Sequence, residues 1–204
     1  MKKLSVFLLI LDFVFFAGHV FSQKLKSGDL EVLKGQTTIN LKYDYSSMAI
    51  GKFKNEKDYI ENGIKERNNK IPKSGDEWAK KWESDKAERF QPMFEKNFNA
   101  KLSDIGITAK EGASDAKYTL IIKTVFLEQG FQSGVGISKS AYINMIVDLV
   151  ETSNPSTVTA KIEYIKIPSV NMMGYDFDTG TRIQSCYDRA GSNIGKLIVK
   201  SLSK

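Results

Sequence analysis

The sequence predicts an α+β fold: an antiparallel or mixed sheet of four to six strands, with a tryptophan-bearing helix and a carboxy-terminal amphipathic helix packed on it. Three observations carry that expectation. Segments near 38–45, 116–131, 141–151 and 156–167 alternate apolar with polar residues, or run apolar and β-branched, as strands do. Two long stretches, 74–102 and 181–202, instead repeat apolar residues every three to four positions. There is no internal repeat or low-complexity tract, so residues 23–204 read as a single domain.

The chain opens with MKKLSVFLLILDFVFFAGHVFSQ, which reads as an export leader. Lys2 and Lys3 supply the positive start, residues 4–21 are mostly apolar, and Val20 and Ser22 are small enough for a peptidase site before Gln23. Asp12 is a defect in that run, because a charge at membrane depth is costly. Residues 1–22 are therefore read as a signal peptide, which places the protein in the periplasm or outside the cell. If the leader stayed attached, its apolar run would be the expected membrane contact. The chain's one cysteine lies far from the cleavage point, which leaves no position there for a lipid anchor.

Loss of the leader removes Lys2, Lys3 and Asp12 and takes the formal charge from +6 to +5. The excess is mostly scattered lysine, without the clustered basic and aromatic residues of a nucleic-acid surface, so no nucleic-acid partner is expected. His19 is the only histidine and lies in the leader, which excludes Ser-His-Asp, Cys-His and histidine-ligated zinc chemistry from the mature protein. Cys186 is the sole cysteine; no intramolecular disulfide can form, and its place on an apolar helical face predicts a small buried hydrophobe. Carboxylates, lysines, tyrosines and hydroxyls remain for catalysis, and no cofactor is implied.

Taken in order, 29–45 reads as a short strand, a Lys34-Gly35 turn and a strand in which Ile39, Leu41, Tyr43 and Tyr45 alternate with polar residues. A short helix follows, capped by Asn55, with Ile60 and Ile64 on one face and Gly63 as a weakness. The 74–102 helix carries Trp78, Trp82, Phe90, Met93, Phe94 and Phe98 on one stripe; Ser74 with Glu77, or Asp76, should cap it, and Pro92 should kink or split it. Helical spacing makes the tryptophans a buried stripe docked on the sheet in preference to a sugar platform. In 116–131, one set of alternating residues (Tyr118, Leu120, Ile122, Phe126) and the other (Ile121, Val125, Leu127) are both rich in apolar or β-branched residues, which predicts a central strand covered at least partly on both faces. The strands 141–151 and 156–167 flank the turn composition TSNP and read as a hairpin. The last helix should be capped by Thr181 with Gln184, bury Ile183, Cys186, Tyr187, Ala190, Ile194 and Ile198, and use Gly191 and Gly195 for close packing.

Several motifs nearly form. AGSNIGKL has the glycine and lysine of a phosphate loop, but Leu197 stands where Ser or Thr should be and the stretch lies inside a helix. Ser114 and Lys117 have Ser-x-x-Lys spacing but run into a strand, which separates the side chains. Asp176 and Asp178 overlap the start of a calcium loop, yet Gly180 occupies the third ligand position and Tyr187 the bidentate one, leaving at most a non-EF-hand calcium site. The glycine-rich loop from Glu128 to Ser140 is the candidate contact surface, with Phe131, Gln132, Val135 and Ile137 as its apolar and polar contacts.

Residues 104–202 place a strand opened by Asp115-Ala116-Lys117-Tyr118, a long loop, a strand containing Val147-Asp148, a hairpin return and a closing helix. This order resembles exported α+β proteins of Gram-negative bacteria whose function is uncharacterised. More distantly it is similar to the amino-terminal domain of the Tol-system propeller protein and to lipoprotein activators of penicillin-binding proteins, although the lipidated cysteine of the activators is missing. The resemblance implies a non-enzymatic binding module. The function expected is thus an exported interaction module of the cell envelope, binding an envelope protein or glycan, with its oligomeric state left open. The alternative is a carboxylate-dependent hydrolase acting on glycans, which needs two acids about 5–10 Å apart beside exposed aromatics.

Overall fold

The computed structural model describes residues 22–133, 137–170 and 178–203. It is an α+β domain built on a mixed seven-stranded sheet. The strands are β1 (Ser22–Gly28), β2 (Thr38–Asp44), β3 (Ala49–Ile50), β4 (Thr108–Glu111), β5 (Tyr118–Glu128), β8 (Tyr142–Glu151) and β9 (Asn154–Pro168). Their order is β1-β9-β8-β5-β2-β4, with β3 beside the end of β5. The β2–β4, β2–β5 and β3–β5 pairs are parallel, the others antiparallel. A separate two-stranded ribbon joins β6 (Phe131–Gln132) to β7 (Ser138–Lys139). The helices are α1 (Glu56–Asn68), α2 (Ser74–Asp85), α3 (Gln91–Leu102) and α4 (Thr179–Leu202).

β5 is central, as its apolar content predicts, between β8 and β2. A bulge between Thr124 and Phe126 exchanges the two faces beyond it. Leu127 therefore turns into the core, 1 % exposed, while Phe126 leaves the core set and stacks on Tyr142 with centroids 5.5 Å apart. The helix-facing side of the sheet carries Ile39, Leu41, Leu120, Ile122, Met145, Val147, Leu149, Ile162 and Tyr164, all buried. On the opposite side Asp148 is clamped between Lys123 (2.8 Å) and Lys161 (2.6 Å) on the neighbouring strands.

The predicted 74–102 helix is split where Pro92 requires it. Residues Lys86–Phe90 form a π-type turn, the Gln91 N–H reaches back to the Lys86 carbonyl, and Pro92 sits in the first turn of α3, where its missing N–H costs nothing. The two halves then do different work. Phe90, Phe94, Phe98 and Leu102 pack toward the sheet and α4, with Phe90 stacked on Tyr187 at 5.3 Å and Tyr43 edge-on to Phe94 at 6.0 Å. The tryptophans, expected against the sheet, lie instead against α1. Trp82 is 4 % exposed beside Tyr59, its indole N–H donating to Glu56 Oε1 at 2.6 Å, and the ring of Trp78 lies over Gly63, where a Cβ would overlap it. Gly63 thus permits that packing at the expense of helix propensity.

α4 buries Ile183, Cys186, Tyr187, Ala190, Ile194 and Ile198 completely. It crosses α3 at Gly191 and Gly195, where added Cβ atoms would meet the Phe94 carbonyl and Lys101. The Cys186 thiol, raised by burial, is a packing atom.

Four local expectations are corrected. Residues near 29–33 form a 3₁₀ turn, Glu31–Leu33, because a three-residue spacing turns Leu30 and Leu33 to the same side, both fully buried. The α2 cap is Lys73 in left-handed conformation; the Ser74 hydroxyl donates to the Arg67 and Ile71 carbonyls, and Asn68 of α1 accepts the Gly75 N–H instead. Asp178, three residues ahead of Thr181, caps α4 through the Gly180 and Thr181 N–H groups. The expected Glu128–Ser140 loop contains the β6–β7 ribbon.

The β4 edge is closed by a side chain. Asn99 of α3 donates to the Ala109 carbonyl and accepts the Ala109 N–H, each at 2.7 Å, as a neighbouring strand would.

Candidate interaction surface at one end of the molecule

The ribbon is an arm built from backbone constraints. Phe131 pairs with Lys139 and Gln132 with Ser138, and the Ser133 N–H and hydroxyl both donate to the Ile137 carbonyl, at 2.9 and 2.8 Å. Gly130, at φ +61°, packs where a Cβ would collide with the Lys139 carbonyl and Ala141. The base of the arm is fixed from several elements. Lys139 meets Glu128 at 2.6 Å. Arg182, in the first turn of α4 and 6 % exposed, donates to the carbonyls of Gln129 (3.1 Å) and Gly130 (3.4 Å) and to the Thr179 hydroxyl (3.0 Å). Tyr59 of α1 donates to Gln129 Oε1 at 2.7 Å. Phe131 is 48 % and Ile137 66 % exposed on this fixed base, with Gln132 exposed beside Phe131. Val135 lies outside the described residues. Val170, 43 % exposed, leaves β9 next to Ala141, where the arm returns.

Tyr59 also joins the arm to a cleft of about 200 Å³ lined by Arg67, Trp78, Lys81, Asp85, Asp178 and Gly180. Arg89 bridges its two acids: Nη1 lies 3.3 Å from Asp85 and 2.9 Å from Asp178, and Nη2 donates to the Thr181 hydroxyl at 2.9 Å. Lys81 stands 3.7 Å from the other Asp178 oxygen. Partial burial works against the Asp178 charge. The Thr181 hydroxyl, Arg89 and the Gly180 N–H outweigh it and bring the carboxyl down to about 2. At neutral pH this group has no proton to give. The face of Trp78 is taken by the Arg67 guanidinium, 4.0 Å from the ring centre.

Of the two calcium candidates, Asp178 is engaged as a helix cap and ion-pair partner, and Asp176 lies outside the described residues. Among the described residues no three metal-ligating side chains come together, and no helix is long and apolar enough to cross a membrane. Arg182, Arg89 and Tyr59, which build this end of the molecule, stand in no motif of the sequence. Arg182 did leave a signal, since it stands beside Ile183 at the start of an otherwise apolar helical face.

No family model matches the chain, and no curated protein does. Among solved structures it is similar to the PelC dodecamer from Paraburkholderia phytofirmans, at 10 % identity over 85 % of this chain and 96 % of that one, with a TM-score of 0.36. It is also similar to protein XCC0632 from Xanthomonas campestris, of family model DUF330, at 11 % identity over 82 % and 88 % of the two chains and a TM-score of 0.34. These overlaps are loose; they carry neither a shared function nor the distant resemblance to the Tol-system domain and the penicillin-binding-protein activators.

Proposed function

We propose that the chain is a non-enzymatic, exported interaction module that holds a protein of the cell envelope through the β6–β7 arm. The observation that carries this reading is the exposure of Phe131 and Ile137 on a base anchored by Arg182, Tyr59 and the Lys139–Glu128 pair. An anchored arm has already lost much of its conformational freedom, so less of the gain from covering its apolar tip is cancelled on binding. Full burial of a Phe or Ile side chain contributes roughly 1.5–3 kcal/mol, enough for two such residues to dominate a small interface. A protein groove suits this tip better than a glycan, because it is apolar and because Arg67 already covers Trp78. The lowered pKa of Asp178 and the shared Arg89 favour binding over acid-catalysed glycan hydrolysis. The leader ending near Ser22 supports export to the periplasm or beyond.

The test is a crosslinking pull-down from the protein's own cell envelope, with the wild type beside a Phe131→Ser, Ile137→Ser double variant. The expected result is a reproducible partner that the variant loses while its melting temperature stays unchanged. Retention of the same partner by the variant, or turnover of a glycan panel by the wild type, would overturn the reading.

A further inference from the structure

The two edges of the sheet are finished differently. At β4 the outward backbone groups of Ala109 are taken by the Asn99 amide. At β1 the backbone pairs with β9 on one side, and among the described residues nothing bonds to the other. Alternate N–H and C=O groups along such an edge are a template for one more strand.

The side chains of β1 state which strand would fit. Lys24 and Lys26 lie beside Glu163, and that acid is already paired with Lys26 at 2.5 Å. Lys24 makes no ion pair among the described residues. Leu25, placed opposite the buried Ile162, remains 39 % exposed on the helix-facing side. A bulge between Leu25 and Ser27 leaves Gln23–Leu25 as the regular length in the processed chain.

A second copy of the chain is a poor occupant. Two-fold pairing through the sheet keeps the same side chains on the same face, so the lysine row would meet its own image, and like charges opposite one another destabilise a pair. Edge lysines likewise discourage neutral and basic strands. A segment alternating acidic with apolar residues meets both requirements, with carboxylates over Lys24 and Lys26 and an apolar side chain over Leu25.

We propose that β1 is a docking edge for an extended acidic segment of a protein partner, which adds to the sheet as a further strand. The proposal uses residues separate from the arm and stands or falls independently of it.

The probes are two capped peptides, (Glu-Val)₄ and (Lys-Val)₄, added to the protein purified as the cell processes it. Amide hydrogen exchange along 24–28 is the readout. The expected result is slowed exchange at β1 with the acidic peptide alone. A Lys24→Glu, Lys26→Glu variant should lose about tenfold in affinity for it, and the Phe131→Ser, Ile137→Ser variant should bind it as the wild type does. Equal protection by both peptides or by neither would overturn the proposal. So would β1 protection that rises with the protein's own concentration, which would assign the edge to self-pairing. Loss of peptide binding in the arm variant would overturn the independence of the two surfaces.

Discussion

Asp178 shows how one side chain serves structure and electrostatics together. Its carboxylate accepts two N–H groups at the start of α4 and pairs with Arg89, so it joins α4 to the π-type turn between α2 and α3. Asp178→Ala is expected to lower the unfolding free energy by about 1 kcal/mol at neutral pH, the usual cost of a lost cap. Its folded pKa lies below the unfolded one, so the charged form is favoured by folding. That contribution is complete above about pH 4 and is lost as pH falls toward 2. The gap between wild type and variant should therefore narrow in acid, and urea unfolding at stepped pH measures it; a constant gap would refute the electrostatic part. Trp82 makes a different kind of contribution, with its ring buried against Tyr59 and its N–H satisfied by Glu56. Trp82→Ala should cost on the order of 3–5 kcal/mol through lost burial and the cavity left behind.

At the scale of elements, the contact between α3 and α4 depends on two glycines spaced one turn apart. Gly191→Ala would push a methyl group into the Phe94 carbonyl, and overpacking of this sort costs about 1–3 kcal/mol; a thermal melt unchanged from wild type would show that the helices can slide apart freely. The packing role of these glycines was legible in the sequence because they interrupt an apolar helical face. The Asn99 clamp was not legible, since an asparagine in a helix carries no mark of the strand it will face. Asn99→Ala should leave the Ala109 N–H and carbonyl unpaired, at about 1–3 kcal/mol for an unsatisfied buried group. It should also raise aggregation, measured by light scattering, because it opens the β4 edge. β1, β3 and β4 are not legible in the sequence for a related reason. They are short or lysine-bearing and acquire strand character from the long strands beside them.

For the molecule as a whole, carboxylates govern stability in acid. Asp148 is almost wholly buried, and although burial opposes its charge, Lys123 and Lys161 hold it below the usual carboxylate range. Its contribution has the same sign as that of Asp178: present above about pH 4 and lost as pH falls. The melting temperature should therefore drop below that pH in the wild type, and less steeply in an Asp148→Asn, Asp178→Asn variant; parallel curves would place the acid sensitivity elsewhere. What the sequence determined by itself was the class of fold, the central β5 strand, the β8–β9 hairpin, the break at Pro92 and the buried face of α4. Periodicity, chain-breaking residues and apolar content act locally and can be read locally. Tertiary structure alone decided which side of the β5 bulge faces the core, where the tryptophans dock, which helices hold the arm, and which strands end the sheet. Each of those outcomes depends on contacts between residues far apart in the chain, and spacing along a sequence does not encode which distant surface a side chain will meet.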